Sequence, residues 1–170
     1  MVVTGNGKGK TTSALGAAFR AVGDGRRVLM VQFIKGPWRS GEDDAQLLLS
    51  GHFQIIKTGL GFVGILGDTR LLQEHADAAR SGLEVARKEM LSNRWDMLIL
   101  DEVNNAIQLG LLDEVEVTGL VDILPDGMDL VLTGRDARQS LIDRADIVSE
   151  VVEVKHPYQQ GQKGEKGIEW

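Results

Sequence analysis

The sequence predicts a single α/β domain, residues 1–170, with an open, mostly parallel sheet and helices on both faces. Several short segments are apolar without polar alternation, as in parallel strands that are covered on both faces. Amphipathic segments with helical periodicity alternate with them, because successive parallel strands need crossover connections. The length of 170 residues suits one domain with one core.

The N-terminal half of the chain predicts three strands and one helix. Val2–Thr4 is a first short strand, and an alanine-rich helix over residues 11–22 follows it and ends at a Gly-Asp-Gly turn. Residues 27–34 are rich in Val, Leu, Met, Phe and Ile, which predicts a buried second strand. Phe53–Lys57 is a short third strand. The glycine-interrupted segment 59–67 is too flexible for regular structure, so we expect a loop there.

The C-terminal half predicts a long helix, two buried strands and a final outer strand. Apolar side chains recur at alternating spacings of four and three over residues 69–90, which predicts an amphipathic helix. Residues 97–100 and 129–133 form apolar strands that end in polar residues. The remaining predicted elements are helices over residues 103–109, 113–124 and 137–143, an outer strand over 147–154, and an irregular tail from 155 on.

Composition excludes several classes of function. The net charge of −6 repels polyanions and no basic stripe compensates for it, so we expect no nucleic-acid partner. The absence of cysteine removes disulfides, thiolate metal sites and cysteine nucleophiles, and it fits a reducing compartment. No apolar run approaches the roughly 20 residues of a spanning helix, and the start lacks signal-peptide features. We therefore expect a cytoplasmic protein without a membrane partner.

The segment between the first strand and the first helix has the composition of a phosphate-binding loop. Backbone N–H groups at a helix N-terminus bind phosphate, glycines allow close approach, and a lysine neutralises charge. Lys10 is that lysine, the Thr11 hydroxyl is placed to coordinate Mg²⁺, and Lys8 adds a second positive charge. The alternative, a glycine-rich turn with incidental lysines, leaves the flanking strand and helix to chance. We predict that ATP binds Gly5, Asn6, Gly7, Lys8, Gly9, Lys10, Thr11 and Thr12.

Polar side chains close two of the later apolar strands. Asp101 and Glu102 resemble a Walker B element, in which the aspartate holds Mg²⁺ and a following glutamate activates water. The alternative is an acidic pair that caps the next helix. Arg135 is placed to reach a phosphate or a second substrate, or else it is a surface arginine. Because the carboxyl ends of parallel strands meet at one edge, we expect Thr11, Asp101 and Glu102 to act as metal ligands.

Four stretches of the chain occur together in a recognisable order. They are Thr4 to Thr12, Val31 to Trp38 with Gly41-Glu42, Leu100-Asp101-Glu102, and Thr133-Gly134-Arg135 with Val154-Lys155-His156. In order and spacing they resemble the P-loop type of ATP:corrinoid adenosyltransferases. The Walker pattern has a glycine where this loop has Thr4, and the Thr4 variant belongs to that family. The ending from Lys166 to Trp170 is also similar, so the resemblance covers essentially the whole chain.

The resemblance implies a P-loop, RecA-like nucleotide-binding architecture and a specific reaction. In this family the cobalt(I) of a reduced corrinoid attacks the 5′ carbon of ATP and releases triphosphate, in adenosylcobalamin synthesis or salvage. ATP lies reversed in the loop relative to most P-loop enzymes. The resemblance implies that Lys8, Lys10 and Thr11 are catalytic, because they stabilise the leaving triphosphate with Mg²⁺ or Mn²⁺. It also implies a homodimer and an electron-donating flavoprotein partner.

The chain departs from the family in two places. Relatives often have a Gly-Phe-Thr-Trp segment after the third strand that helps displace the lower ligand of cobalt. Here Phe62 matches, but Gly64 stands where the tryptophan would be. We expect Phe62 and Trp38 to contact ATP or corrinoid, with core anchors as the alternative reading. Relatives also carry extra residues before the first strand that help cover the site, whereas this chain begins at the strand.

Two other functions would also explain the phosphate-binding loop and the acidic pair Asp101-Glu102. A P-loop kinase or ATPase would move the terminal phosphate, with Glu102 orienting water or an acceptor hydroxyl. A non-catalytic switch would bind ATP to change its partner surface. Neither needs the stretch around Trp38 or the one around Arg135.

Overall fold

The computed structural model describes residues 1–49, 51–65, 67–157, 161 and 164–168, in which strands and helices alternate through most of the chain. The strands are β1 (Val2–Thr4), β2 (Val28–Gln32), β3 (Phe53–Lys57), β4 (Met97–Asp101), β5 (Asp129–Thr133) and β6 (Val148–Glu150). The helices are α1 (Lys10–Gly23), α2 (Gly41–Leu48), α3 (Leu72–Met90), α4 (Val103–Gln108), α5 (Glu114–Val121) and α6 (Gln139–Arg144).

The strands form one open sheet in the order β3-β2-β4-β5-β1-β6. Each hydrogen-bonded pair among the described strands is parallel, which confirms the α/β class and makes the sheet more uniformly parallel than expected. β6 lies at one edge, as predicted for the last strand. Because all these strands run in the same direction, their carboxyl ends meet along one edge of the sheet.

Side chains of the strands alternate between two apolar cores. In β2, Leu29 and Val31 pack with buried residues of α3, α4 and α5, whereas Val28 and Met30 pack with the alanines of α1. All four of these strand side chains are fully buried. A strand covered on both faces has an uninterrupted apolar sequence, which is why these strands are visible in the sequence. The two cores confirm that helices lie on both faces of the sheet.

Most predicted elements are confirmed with shifted ends. α3 begins at Leu72 instead of residue 69, because the backbone at Leu71 is extended and its N–H donates to the Glu74 carboxylate at 2.8 Å. β6 is shorter than the predicted 147–154, since the carbonyl that follows it accepts a hydrogen bond from the loop after β1. β2 is likewise shorter than the predicted 27–34. The predicted loop after β3 contains no helix or strand among its described residues.

α2 is a helix that the sequence does not predict. None of its residues is buried, so it has no apolar stripe that could reveal its period. It begins after Ser40, whose backbone N–H and hydroxyl both donate to the Asp43 carboxylate, at 2.7 and 3.0 Å. This capping box fixes the start of a helix that crosses from β2 to β3.

Within the described ranges, no helix combines the length and hydropathy that crossing a bilayer requires. The sequence likeness at the C-terminus includes residues 169 and 170, which lie outside the described residues.

Arg27 and Asp96 join the segments that enter β2 and β4. The Asp96 carboxylate accepts the Arg27 backbone N–H at 2.8 Å and its guanidinium at 3.1 and 3.2 Å. These hydrogen bonds from Arg27 lower the pKa of Asp96 from 3.8 to about 2. A carboxyl whose pKa is lower in the folded state stabilises the fold while it is ionised, and this contribution disappears as pH falls through its folded pKa.

Asp96→Asn should lower the free energy of unfolding by about 0.5–1 kcal/mol at neutral pH, because both partners are partly exposed and solvent screens them. The difference from wild type should shrink as pH falls from about 4 to about 2, where the wild-type carboxyl protonates. Urea denaturation followed by circular dichroism at several pH values measures this. Asp126→Asn, in the exposed turn before β5, is the control. A difference that persists unchanged to the lowest pH would contradict the prediction.

Candidate functional site

The loop between β1 and α1 lies against the chain that leaves β6. The Gly7 N–H donates to the Val151 carbonyl oxygen at 2.7 Å. A Cβ on Gly7 would lie 2.7 Å from the Val152 backbone, so no larger residue fits there. Gly5 and Gly9 take positive φ angles of 96° and 122°, which only glycine adopts readily. Close approach and backbone conformation together explain the glycine spacing of this loop.

Lys10 is the first residue of α1 and folds back over the loop. Its ammonium donates to the Gly7 carbonyl oxygen at 2.7 Å. Burial and the nearby Arg135 cation lower the pKa of Lys10, against the opposing effect of Glu102 and Asp101. The N-terminus of a helix also favours a negative charge. A phosphate bound here would therefore stabilise both the charged lysine and the helix end.

The Asp101 carboxylate joins three elements at the carboxyl edge of the sheet. It is fully buried at the end of β4. One oxygen accepts the Thr11 hydroxyl at 2.9 Å and the Thr133 hydroxyl at 2.8 Å, and the other accepts the Gln32 amide at 3.1 Å. Thr133 in turn accepts the Glu102 backbone N–H at 2.9 Å. These hydrogen bonds fix the orientation of the carboxylate relative to α1, β2 and β5.

Glu102 lies beside this network in an uncommon backbone conformation. Its φ is 63°, in the left-handed region that residues other than glycine rarely adopt. Burial and the neighbouring Asp101 carboxylate raise the pKa of Glu102 to about 7, although Lys35, Lys10 and Arg135 oppose this. Backbone strain and a strongly shifted pKa are concentrated at functional sites in proteins.

Lys35 and Glu42 bring a further ion pair to the same place. The Lys35 ammonium donates to the Glu42 carboxylate, which lies in the first turn of α2. Burial opposes the charge of Lys35, but Asp101, Glu42 and Glu102 outweigh it and raise the pKa of Lys35. Both residues lie in the stretch that resembles the family, but their spacing has no period that would indicate a role. The position of Lys35 shortly after β2, at the edge where such sheets bind ligands, was the available signal.

Arg135 follows β5 after a glycine that the packing requires. A Cβ on Gly134 would lie 2.6 Å from the Asn105 side-chain oxygen, and the glycine has a positive φ of 129°. The same Asn105 oxygen accepts the Arg135 backbone N–H at 2.9 Å. α4 therefore fixes the backbone from which the arginine side chain extends.

These residues surround a cleft of about 790 Å³ at the carboxyl edge of the sheet, within the size range of small-molecule sites. Of the loop residues predicted to bind ATP, all but Gly5 line it, as do Lys35, Glu42, Glu102 and Arg135. Asp101 lies beneath the lining because it is fully buried. Beyond the loop the lining becomes apolar along α1, α2 and β3, with Leu15, Phe19, Ala45, Leu49 and Phe53. The cleft thus has a cationic end, which would suit phosphates, and an apolar end, which would suit a flat ring.

Trp38 and Phe62 lie together but apart from this cleft. Their ring centroids are 5.6 Å apart, with the planes tilted by 34°. Neither ring is among the described residues that line the cleft. Both are exposed, at 59% and 47%, so neither is the core anchor that was the alternative reading. We refer to Trp38 and Phe62 as the aromatic pair.

The arrangement fits a metal ion whose coordination is completed by oxygens of a bound nucleotide and of water. The described residues contain no cluster of three or more His, Cys, Asp or Glu side chains that could hold a metal by themselves. Mg²⁺ bound with nucleotides takes one or two protein ligands and fills the other positions with phosphate oxygens and water. The Thr11 hydroxyl and the Asp101 carboxylate, 2.9 Å apart, are oxygen donors of this kind.

Comparisons with known proteins show similarity to one family. The family model described as "ATP:corrinoid adenosyltransferase BtuR/CobO/CobP" matches residues 1–170. Over the whole chain the sequence is 37% identical to a corrinoid adenosyltransferase of Escherichia coli (strain K12), of which it covers 84%. It is 36% identical to that of Salmonella typhimurium, again covering 84% of the relative, and 34% identical to that of Pseudomonas aeruginosa, covering 82%.

Lys10→Ala should weaken ATP binding by roughly 10- to 100-fold, since hydrogen bonds from a charged donor contribute about 1.5–3 kcal/mol. The fold should persist, because the Lys10 side chain supports only its own loop through Gly7. Isothermal titration calorimetry with ATP and Mg²⁺ gives the affinity, and thermal denaturation checks the fold. Lys88→Ala, on the exposed face near the end of α3, is the matched charge control. Unchanged affinity in the Lys10 variant would refute the assignment of the loop.

Proposed function

The chain belongs to the ATP:corrinoid adenosyltransferase family, and we propose that it transfers the 5′-deoxyadenosyl group of ATP to the cobalt(I) of a reduced corrinoid. The observation that carries the proposal is the family match over residues 1–170 in a chain whose phosphate loop and acidic strand end meet in one cleft. Adenosylcobalamin synthesis or salvage is the process that such a transfer would serve.

The proposed reaction needs no nucleophile from the protein. Cobalt(I) supplies the electron pair that forms the cobalt–carbon bond at C5′, while the C5′–oxygen bond breaks and its pair leaves with the triphosphate. The absence of cysteine is compatible with this chemistry. The protein then contributes by aligning the two substrates and by stabilising the charge that develops on the leaving group.

We assign the stabilisation of the leaving triphosphate to Lys8, Lys10 and Thr11. Both lysines line the cationic end of the cleft, and the ammonium of Lys10 lies directly over the loop. Oxygens of a bound phosphate would replace the Gly7 carbonyl as partners of that ammonium. Arg135 extends the positive surface at the rim. For adenosyl transfer the ribose carbon must face the corrinoid, so ATP would lie with its triphosphate held deepest in the loop.

Thr11 and Asp101 are the residues we propose to hold Mg²⁺ or Mn²⁺, and Glu102, which lines the same cleft, is the third proposed ligand. The bound ion would neutralise phosphate charge and so make the triphosphate a better leaving group. Gln32 and Thr133 keep the Asp101 carboxylate in one orientation through their hydrogen bonds. The carboxylate that would hold the ion is therefore already oriented before the nucleotide binds.

Supply of cobalt(I) is proposed to come from another protein. As the family resemblance implies, we propose that the corrinoid arrives reduced or is reduced in place by a separate donor such as a flavoprotein. A homodimer in the cytoplasm is the state we propose for the working enzyme, by analogy with the family to which the sequence conforms.

Incubation with ATP, Mg²⁺ and chemically reduced cobalamin should produce light-sensitive adenosylcobalamin and triphosphate in equal amounts. Visible spectroscopy follows the loss of cob(I)alamin, and anion-exchange chromatography separates triphosphate from ADP. Lys10→Ala under the same conditions controls for uncatalysed alkylation. Persistence of cob(I)alamin with accumulation of ADP would instead indicate a phosphotransferase or ATPase. Absence of any turnover, with ATP still bound, would indicate a non-catalytic switch.

A further inference from the structure

We propose that a buried Asp68–His75 pair positions Phe62 against Trp38 and thereby sets the affinity for the corrinoid. The inference rests on the proposed function, because it takes the corrinoid as the substrate that contacts the aromatic pair. It concerns the segment between β3 and α3, residues 59–65 and 67–71, which we call the Phe62 loop. His75 lies in the first turn of α3, and Asp68 lies near the end of the loop.

The Asp68 and His75 side chains are almost completely buried, at 5% and 2% exposure. The His75 Nε2 lies 3.0 Å from an Asp68 carboxylate oxygen. Burying polar side chains is costly unless they are hydrogen-bonded, so the burial of each of these two side chains depends on the other. The reaction proposed above makes no use of either side chain.

The Asp68 carboxylate organises the backbone of the Phe62 loop. It accepts the Gly64 N–H at 2.9 Å through the oxygen that faces His75, and the Arg70 N–H at 3.2 Å through the other. These backbone hydrogen bonds, together with His75, lower the pKa of Asp68. Gly64 is two residues from Phe62, and its N–H bond restrains that part of the loop. His75 connects this arrangement to the long helix that packs on the sheet.

Trp38 is restrained by Lys57 and by two glycines. The Lys57 ammonium donates to the Trp38 carbonyl oxygen at 2.7 Å and to the Asp43 carboxylate at 2.5 Å. A Cβ on Gly36 or on Gly61 would lie 2.6 or 2.5 Å from the Trp38 ring, so two glycine backbones lie directly against it. The ring has little room to turn. Its remaining exposed surface adjoins Phe62, which completes the aromatic pair.

The Phe62 loop needs such a restraint because it is rich in glycine. Gly59, Gly61, Gly64 and Gly67 give the unrestrained chain many accessible conformations. Substrate affinity falls in proportion to the fraction of molecules whose loop is competent to bind. The Asp68–His75 pair keeps this fraction high, and its loss would affect the substrate that contacts the aromatic pair more than the one in the cleft.

The test compares His75→Leu, which cannot donate to Asp68, with His75→Gln, whose amide can. If the competent fraction falls to about a tenth, His75→Leu raises the KM for reduced cobalamin roughly tenfold. The KM for ATP and the kcat at saturating cobalamin should stay within about twofold of wild type. His75→Gln should recover most of the loss. Asp77→Asn, on the exposed face of α3, is the matched control and should match wild type.

A second measurement reads the loop without turnover. The chain has three tryptophans, so Trp95→Phe with Trp170→Phe leaves Trp38 as the only one. In that background His75→Leu should increase acrylamide quenching of Trp38 fluorescence, and His75→Gln should not. This result does not depend on adenosyl transfer, whereas failure of wild type to make adenosylcobalamin would reject the proposed function itself. Asp68→Asn replaces His75→Leu in both assays if the leucine variant does not fold.

Equal increases in the KM values for ATP and cobalamin would overturn the proposal, as would a fall in kcat with both KM values unchanged. Unchanged quenching in a folded His75→Leu protein would overturn it as well. Phe62→Ala tests whether His75 acts through Phe62. Combined with His75→Leu it should add little to the increase in cobalamin KM, because both changes remove the same contact. Additive effects would show that His75 acts independently of Phe62.

Discussion

The Asp101 carboxylate is the interaction on which the arrangement of the site depends. It binds hydroxyls from the phosphate-loop helix and from β5, and an amide from β2, while it is itself excluded from solvent. A buried carboxylate without partners would be strongly unfavourable. The three hydrogen bonds to Asp101 together make its burial tolerable. The network therefore links strand pairing in the centre of the sheet to the position of α1. Alignment of the nucleotide loop and of the proposed metal ligand is a consequence of how the core is assembled.

Sequence reasoning located the elements that carry a strong local signal. The phosphate loop, the acidic end of β4 and the buried strands each leave a pattern that one short window contains. It did not predict α2, because a helix without a buried face has no apolar period. Nor did it give roles to Gln32, Lys35 or Glu42, whose importance arises from neighbours distant in the chain. The Asp68–His75 pair could not be predicted either, since the two partners are seven positions apart and meet only once the loop has folded back.

The two surfaces that we propose for the substrates are built in physically different ways. The cleft around Lys10 is cationic and bounded by residues that the sheet itself orients, so its geometry changes little without disturbing the core. The aromatic pair lies on two connecting segments after β2 and β3, and it is exposed and apolar. A carboxylate helps to hold each of these segments, since Asp43 accepts the Ser40 N–H and Asp68 accepts the Gly64 N–H. If the proposed assignments hold, changes in these loop residues would alter recognition of the corrinoid and leave the triphosphate cleft intact.

The packing of Gly7 against Val151 and Val152 also bears on the order in which the molecule forms. The loop and the residues that support it lie far apart in the chain, although they touch in the folded protein. Contacts between such distant parts of a chain close late, because loop closure must precede them. The nucleotide motif is contiguous in the sequence, but its shape depends on a contact of this late kind. The loop would therefore acquire its binding geometry only after the sheet around it has formed.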